Sequence, residues 1–407
     1  MTRRTDPGHV TVSEFSVSFP RDQVEDLRAR LRRTKWSDDF DNDDWSFGVN
    51  GDYLRDFASY WCDDYDWDAA EQRLNQYPGF RVDGLLDGTP IHFLHIRGKG
   101  PNPTPIVLTH GWPWTVWDYA KVVDPLTDPV RFGGRAEDSF DVVIPALPGF
   151  GYSSPLRSAV TPMATSDVWS RLMTEVLGYP RYMAAGADWG ALVTSYLGHK
   201  HADEIIGIHL TIPTLISIAG AESWSSEDYS PDEAGRWSRM VDEKLPLMTS
   251  HYNVHVLDPQ TLAWALEDSP VGLAAWILER RRSWSDHDGD FEKLFSRDGL
   301  CDSISTYWFT HTIGTSMRYY ANASRTPLPR THQHHPPVQT PLAMSVFLNE
   351  LILPPRSVVE QNSNLVQWRT HDRGGHFAAH EQPDAWVNDV RAFRETLAAS
   401  AEQTPAH

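Results

Sequence analysis

The chain reads as an α/β fold: a mostly parallel sheet, interrupted late by a helical insertion and preceded by a separate N-terminal unit. Three observations predict it. Over residues 91–212, short apolar runs (PIVLTHG, DVVIPALPG, YMAAGADWG, IIGIHLTIP) alternate with helical segments, the pattern of parallel strands joined by crossover helices. Over 213–335 that alternation stops and the chain turns helical and aromatic-rich, with Trp237, Trp264, Trp276, Trp284 and Trp308. Over 336–407 it resumes, with PLAMSVFLNEL as a strand and AWVNDVRAFRETLAAS as a closing amphipathic helix.

Each element has its own local reason. In residues 1–90, FSVSFP alternates as a short strand. RDQVEDLRARLRRTKW puts Val24, Leu27 and Leu31 on one helical face, and GDYLRDFASYWCDDYDW forms a second helix. LDGTPIHFLHIRG is a turn into a strand, with Ile91, Phe93 and His95 on one side and His92 and Leu94 on the other. DVWSRLMTEVLG and GALVTSYLGHKHADE supply helices between the core strands, and the proline-rich RTPLPRTHQHHPPVQTP closes the insertion as a connection. A parallel sheet carries its functional loops at the strands' C-terminal ends, so the residues after each apolar run are where chemistry is sought.

Composition narrows the partners. With 407 residues and 40% hydrophobic content, the chain can bury a sizeable core. A formal net charge of −19 argues against nucleic acid or anionic membrane as partner and favours a neutral or cationic substrate. Cys62 and Cys301, with no C-x-x-C, support neither a zinc site nor a disulfide framework and read as buried thiols. No apolar stretch follows the basic residues of MTRRTDPGHVTV, and the longest apolar run, IIGIHLTIPTLISIAGA, is broken by His209 and Pro213. A soluble, cytoplasmic protein without signal peptide or membrane span is expected. HQHH, set among prolines, reads as an exposed linker rather than a metal site, and the acidic clusters SDDFDNDDW and CDDYDWD as solvated surface.

The chemistry concentrates in three motifs. GADWG sets Gly186 and Gly190 around Asp188 in the spacing of a nucleophile elbow. Such a strand–turn–helix connection pushes the central side chain out above the sheet, and the glycines let the helix pass close to the strand. An N-capping aspartate on an ordinary βα loop fits the pattern equally well. THGWP follows the strand PIVL, where this architecture draws its second oxyanion-hole amide, though a plain Gly-Pro turn fits the pattern as well. RGGHFAAHEQP puts His376 after two glycines on a late loop, the usual place of a general base. The acid belongs after the preceding strand. Glu350 in VFLNEL takes that place, with Glu360 and Asp372 as alternatives; Asp372 is too near His376 in sequence to approach its ring from behind.

HGWP, GADWG, DSPVGLAAWILE (268–279) and RGGHFAAHEQP together resemble the microsomal-type epoxide hydrolases of the α/β-hydrolase superfamily. The resemblance spans nearly the whole chain, since RLRRTKW, YWCDDYDWDAAEQRLNQYPGF and IHFLHIRG are similar to that family's N-terminal domain, which wraps the catalytic core. It implies a wrapping domain over 1–90, an α/β-hydrolase core over 91–212 and 336–407, and a helical lid over 213–335 that carries two tyrosines. SHYNVHVLDPQT places the first at Tyr252, one residue closer to the following proline than in the family pattern. TSMRYY places the second at Tyr320, with Tyr319 as the alternative. Leu348 stands where the family has proline. No membrane-anchoring N-terminal helix like that of animal members is expected, and the chain is similar to soluble actinobacterial members, some of which act in natural-product pathways.

An aspartate at the elbow has a chemical reason. A serine attacking an sp³ carbon would form an ether, which a histidine and an oxyanion hole cannot cleave. A carboxylate forms an ester, which is hydrolysed at the enzyme's own carbonyl carbon. The resemblance implies that Asp188 attacks an epoxide carbon while Tyr252 and Tyr320 stabilise and protonate the ring oxygen. His376, oriented by Glu350, activates the water, and the backbone N–H groups of Trp112 and Trp189 hold the oxyanion. The product is a vicinal diol, and no cofactor or metal is required. The aromatic insertion suggests an apolar or aromatic epoxide, and a homodimer is the default assembly. Haloalkane dehalogenation, which would use indole or amide N–H donors rather than phenols, is the nearest competing activity. A non-catalytic protein that holds an apolar ligand is the other, and it would have no use for Asp188, Glu350 and His376 together.

Overall fold

The computed structural model describes residues 10–212, 224–326 and 329–402. The start of the insertion and part of its proline-rich exit therefore lie outside the described residues. Among the described residues, nine strands form one sheet in the order β1-β2-β3-β5-β4-β6-β7-β8-β9. They are β1 (Thr11–Phe15), β2 (Gly79–Leu86), β3 (Thr89–Ile96), β4 (Thr104–Thr109), β5 (Phe140–Pro145), β6 (Tyr182–Gly186), β7 (Ile205–Leu210), β8 (Val338–Phe347) and β9 (Ser363–His371). β1, β2, β3 and β5 pair antiparallel. From β5 through β4 to β9 every pairing is parallel. β2 and β3 close as a hairpin at Asp87-Gly88, where Gly88 takes φ 58°, a conformation glycine adopts without steric cost. The central parallel strands β5 and β6 are buried on both faces, which explains their unbroken apolar runs.

Two strands differ from the sequence reading. The strand expected over FSVSFP ends where that segment begins, because β1 covers Thr11–Phe15. Val17 and Phe19 bury their side chains, but their amides donate to Asn75 Oδ1 (2.7 Å) and Glu71 Oε1 (2.6 Å) rather than to a neighbouring strand. β9 was not anticipated. It is an edge strand with mostly polar, half-exposed residues and carries no apolar run.

The insertion contributes helices Leu245–Leu257, Pro259–Asp268, Pro270–Ser283, Arg297–Thr310 and Ile313–Arg325 over the C-terminal edge of the parallel strands. The N-terminal segment clasps this layer from outside. Trp61 Nε1 donates to Ser305 Oγ (3.0 Å), the Tyr60 hydroxyl to Asp298 (2.6 Å) and the Tyr53 hydroxyl to Glu292 (2.7 Å). Arg73 donates twice to Asp302 at 3.0 Å, and Tyr65 bonds the same carboxylate. Among the described residues no helix is long and apolar enough to cross a membrane.

The approach of helix Trp189–Lys200 to the sheet explains the elbow glycines. A Cβ on Gly190 would lie 1.9 Å from the Thr109 carbonyl oxygen, and one on Gly186 would lie 2.2 Å from the Gly190 carbonyl oxygen. Backbone cannot yield there as a side-chain tip could. Gly190→Ala is expected to destabilise the fold by at least about 3 kcal/mol, the upper range of overpacking. Urea unfolding with a wild-type midpoint would contradict this packing.

Candidate active site

β6 ends at Gly186, and two residues later the chain turns into helix Trp189–Lys200. Asp188 occupies the turn with φ 50° and ψ −127°, a backbone conformation that residues with a Cβ seldom adopt. The strain turns its side chain toward THGWP. There Oδ1 accepts the backbone N–H of Trp112 at 2.8 Å. Gly111 makes room for this, since a Cβ on it would lie 2.1 Å from the same oxygen. Trp189 supplies the first amide of the helix, one that has no partner within the helix.

Asp188 Oδ2 lies 3.5 Å from His376 Nε2, and His376 Nδ1 is 2.8 Å from Glu350 Oε1. Glu350 Oε1 also accepts the Leu351 amide at 2.6 Å. His376 and Glu350 are each 1% exposed, whereas the Asp188 side chain is 18% exposed and faces the cavity. Three side chains from the ends of β6 and β8 and from the loop after β9 thus stand in one line. Glu360, by contrast, pairs with Arg356 on the surface, and Asp372 is exposed. Burial works against the His376 positive charge, but the charge of Glu350 and the contact with Asp188 outweigh it and hold the ring up to about 10. The two carboxylates thus favour the imidazolium form of the ring.

A cavity of about 370 Å³ opens over Asp188. Leu192, Ile212, Met248, Trp284, Leu351 and Ile352 supply its apolar walls. Tyr320, from helix Ile313–Arg325, lines it with its ring edge-on to Trp189 (4.6 Å) and Trp112 (6.2 Å). The Tyr320 hydroxyl is buried and meets no acceptor. Burial, reinforced by the Asp188 charge, pushes this phenol well above its ordinary value and keeps it a neutral donor. Tyr319 turns away, its hydroxyl bonded to Thr165 Oγ1 at 2.8 Å. Tyr252 lines the same cavity, with its ring 6.0 Å from that of Tyr320, but it is 40% exposed. Its neighbour His251 is buried, stacked on Trp112 at 5.4 Å. Of the insertion's tryptophans, Trp284 lines the cavity, whereas Trp264 is 71% exposed and Trp276 donates to His255 at 3.1 Å.

Sequence reasoning missed Arg281. Buried in helix Pro270–Ser283, it forms an ion pair with Asp118 and donates to the Pro113 carbonyl at 2.8 Å. Asp118 Oδ2 in turn accepts the Thr115 amide at 2.7 Å. The insertion therefore holds the loop that presents the Trp112 amide. The available signal was an arginine four residues after Ile277, on the helix's apolar face.

The sheet, the elbow and the covering helices define an α/β hydrolase, and residues 104–249 match the family model for the alpha/beta hydrolase fold. Residues 12–119 match the model described as the epoxide hydrolase N terminus. The chain belongs to the epoxide hydrolase family: over 95% of its length, and 86% of the relative's, it is 39% identical to a Stigmatella aurantiaca (strain DW4/3-1) protein assigned as an epoxide hydrolase. It is 29% identical to epoxide hydrolase 1 of Oryctolagus cuniculus, over 94% of this chain and 88% of that one. The structure of the juvenile hormone epoxide hydrolase of the silkworm Bombyx mori superposes with a TM-score of 0.84 at 26% identity, covering 97% of this chain and 96% of that one. The Aspergillus niger epoxide hydrolase superposes at 0.81 with 28% identity, covering 95% and 97%.

The His376 environment makes stability pH-dependent. Its folded value lies above its ordinary 6.5, so the proton's contribution is complete below about 6.5 and is lost as pH rises through about 10. Wild-type Tm is expected to fall more steeply over that window than Tm of His376→Gln. Equal slopes in a thermal melt series would contradict the assignment of charge.

Proposed function

We propose that the chain converts an epoxide and water to a vicinal diol through an ester formed on Asp188. The observation that carries this reading is the Asp188 carboxylate itself, held at one oxygen by an amide and backed at the other by His376 and Glu350, below an acceptor-free phenol. Oδ2 is the attacking oxygen, because Oδ1 is engaged by Trp112. As the C–O bond of the ring breaks, Tyr320 and Tyr252 donate to the departing oxygen and protonate it.

Ester formation removes the charge of Asp188, one of the two carboxylates that keep His376 protonated. The ring then gives up its proton more readily, and the Tyr that protonated the alkoxide is reprotonated through solvent. Neutral His376, oriented by Glu350, takes a proton from water, which attacks the carbonyl carbon of the ester. The resulting oxyanion is met by the Trp112 and Trp189 amides, and removing such a donor typically lowers the rate on the order of 10²–10³-fold. Collapse expels the diol oxygen, which takes the proton from His376, and leaves the Asp188 carboxyl with one oxygen from water; its remaining proton passes to His376, which restores the resting carboxylate and imidazolium. The apolar walls support a neutral, apolar or aromatic epoxide, since the charged side chains among the lining residues are Asp188 and His376.

Halide release is a second reading with one observation in its favour. The Trp189 indole N–H is buried beside the Tyr320 hydroxyl at the cavity, a donor of the kind that would hold a departing halide. Assaying diol against halide from matched substrates separates the two.

In single turnover in heavy-oxygen water, label is expected in the peptide that holds Asp188; its absence from that peptide refutes the ester. With His376→Gln the alkylated protein should accumulate and be visible by mass spectrometry. Tyr320→Phe should slow alkylation on the order of 10²-fold or more, as loss of a positioned acid does. An unchanged rate of adduct formation would remove Tyr320 from this role.

A further inference from the structure

The loop that carries His376 is fastened at every amide from residue 374 to 377. Gly374 donates to Asp286 Oδ2 at 2.7 Å. Gly375 donates to Glu381 Oε2 at 2.9 Å, and Phe377 to Glu381 Oε1 at 2.8 Å. His376 itself donates to the Trp284 carbonyl at 2.9 Å. The acceptors are thus Glu381 and two residues of the insertion, and Glu381 binds the insertion as well, taking the Asp286 amide on Oε2 at 2.7 Å. Gly375 permits this contact, because a Cβ there would lie 2.6 Å from the Trp284 carbonyl oxygen. The Trp284 ring meets the His376 ring edge-on at 5.1 Å and also forms part of the cavity wall.

We infer that Glu381 is a positioning residue for hydrolysis of the ester, fixing His376 against Asp188 by bolting the histidine's loop to the insertion segment 284–286. The inference rests on the proposed roles of Asp188 and His376. A carboxylate is an unfavourable choice for a purely structural acceptor here. It is buried, and burial, with the like charge of Glu350 as a lesser cause, pushes it up to about 7. What the carboxylate offers is two oxygens in one rigid plane, one for each amide that flanks His376. A side-chain amide offers one acceptor oxygen and would point N–H at an N–H. Displacing a reacting group by about 1 Å can lower a rate on the order of 10²-fold.

The test follows both chemical steps in Glu381→Gln, using styrene oxide as probe after confirming that the wild type turns it over and labels Asp188. Formation of the adduct is expected within about twofold of wild type, while its hydrolysis slows on the order of 10–10²-fold, so that the adduct accumulates as in His376→Gln. Glu381→Asp, which keeps both oxygens, should recover part of the hydrolysis rate, and it is read in place of Glu381→Gln should the latter not fold. Equal slowing of both steps with a lowered Tm would make Glu381 merely structural and overturn the inference, as would unchanged hydrolysis. A wild type that never labels Asp188 would instead overturn the ester reading, whatever the Glu381 variants do.

Discussion

The site depends on how closely helix Trp189–Lys200 approaches β4. Gly190 lets the helix rest against the Thr109 carbonyl, and Gly111 lets the next residues of that strand's loop rest against Asp188. Once these backbones touch, the carboxylate has little freedom left. Its φ of 50° is imposed from both sides, and the Trp112 amide is the nearest donor in reach. The strain at one residue is balanced by contacts spread over the core, which is how such conformations persist. Orientation is thereby settled in the folding of the chain and need not be supplied when substrate arrives.

The second organising feature is charge held out of water. Glu350 and His376 are almost wholly buried, and the charges of Glu350, His376 and Asp188 are stabilised only together. In the proposed ester route, neutralising one carboxylate lowers the proton affinity of the ring between them and so prepares the base for the step that follows. Farther out, the buried Arg281–Asp118 pair and Glu381 connect the insertion to the two loops that flank the carboxylate. The insertion is in this sense structural support for the chemistry as well as a cover.

Much of this was legible in the sequence. Both-face burial of the parallel strands appears as apolar runs, and the elbow spacing reflects a contact between backbones, so its glycines were readable for a physical reason. Asp188 and Glu350 could be proposed because each follows such a run, and His376 because two glycines precede it on a late loop. What stayed hidden depended on partners distant in sequence. β9 is a polar edge strand whose place is set by pairing with β8, and Val17 is held by Asn75 rather than by a neighbouring strand. Glu381 stood inside a motif already singled out, but its value comes from amides at Asp286, Gly375 and Phe377 that no local pattern reveals. Nor does spacing reveal that His251 is buried against Trp112 while its neighbour Tyr252 stands on the solvent side.

The clasp of the N-terminal segment on helix Arg297–Thr310 has a consequence for exchange of parts between relatives. Tyr53, Tyr60, Tyr65 and Arg73 meet acidic partners that are all supplied by residues 292–302. A chimaera that imports a foreign cover alone would leave hydroxyls and a guanidinium facing side chains chosen for something else. The opening stretch and the covering helices therefore form one heritable module, although more than 200 residues separate them in the chain.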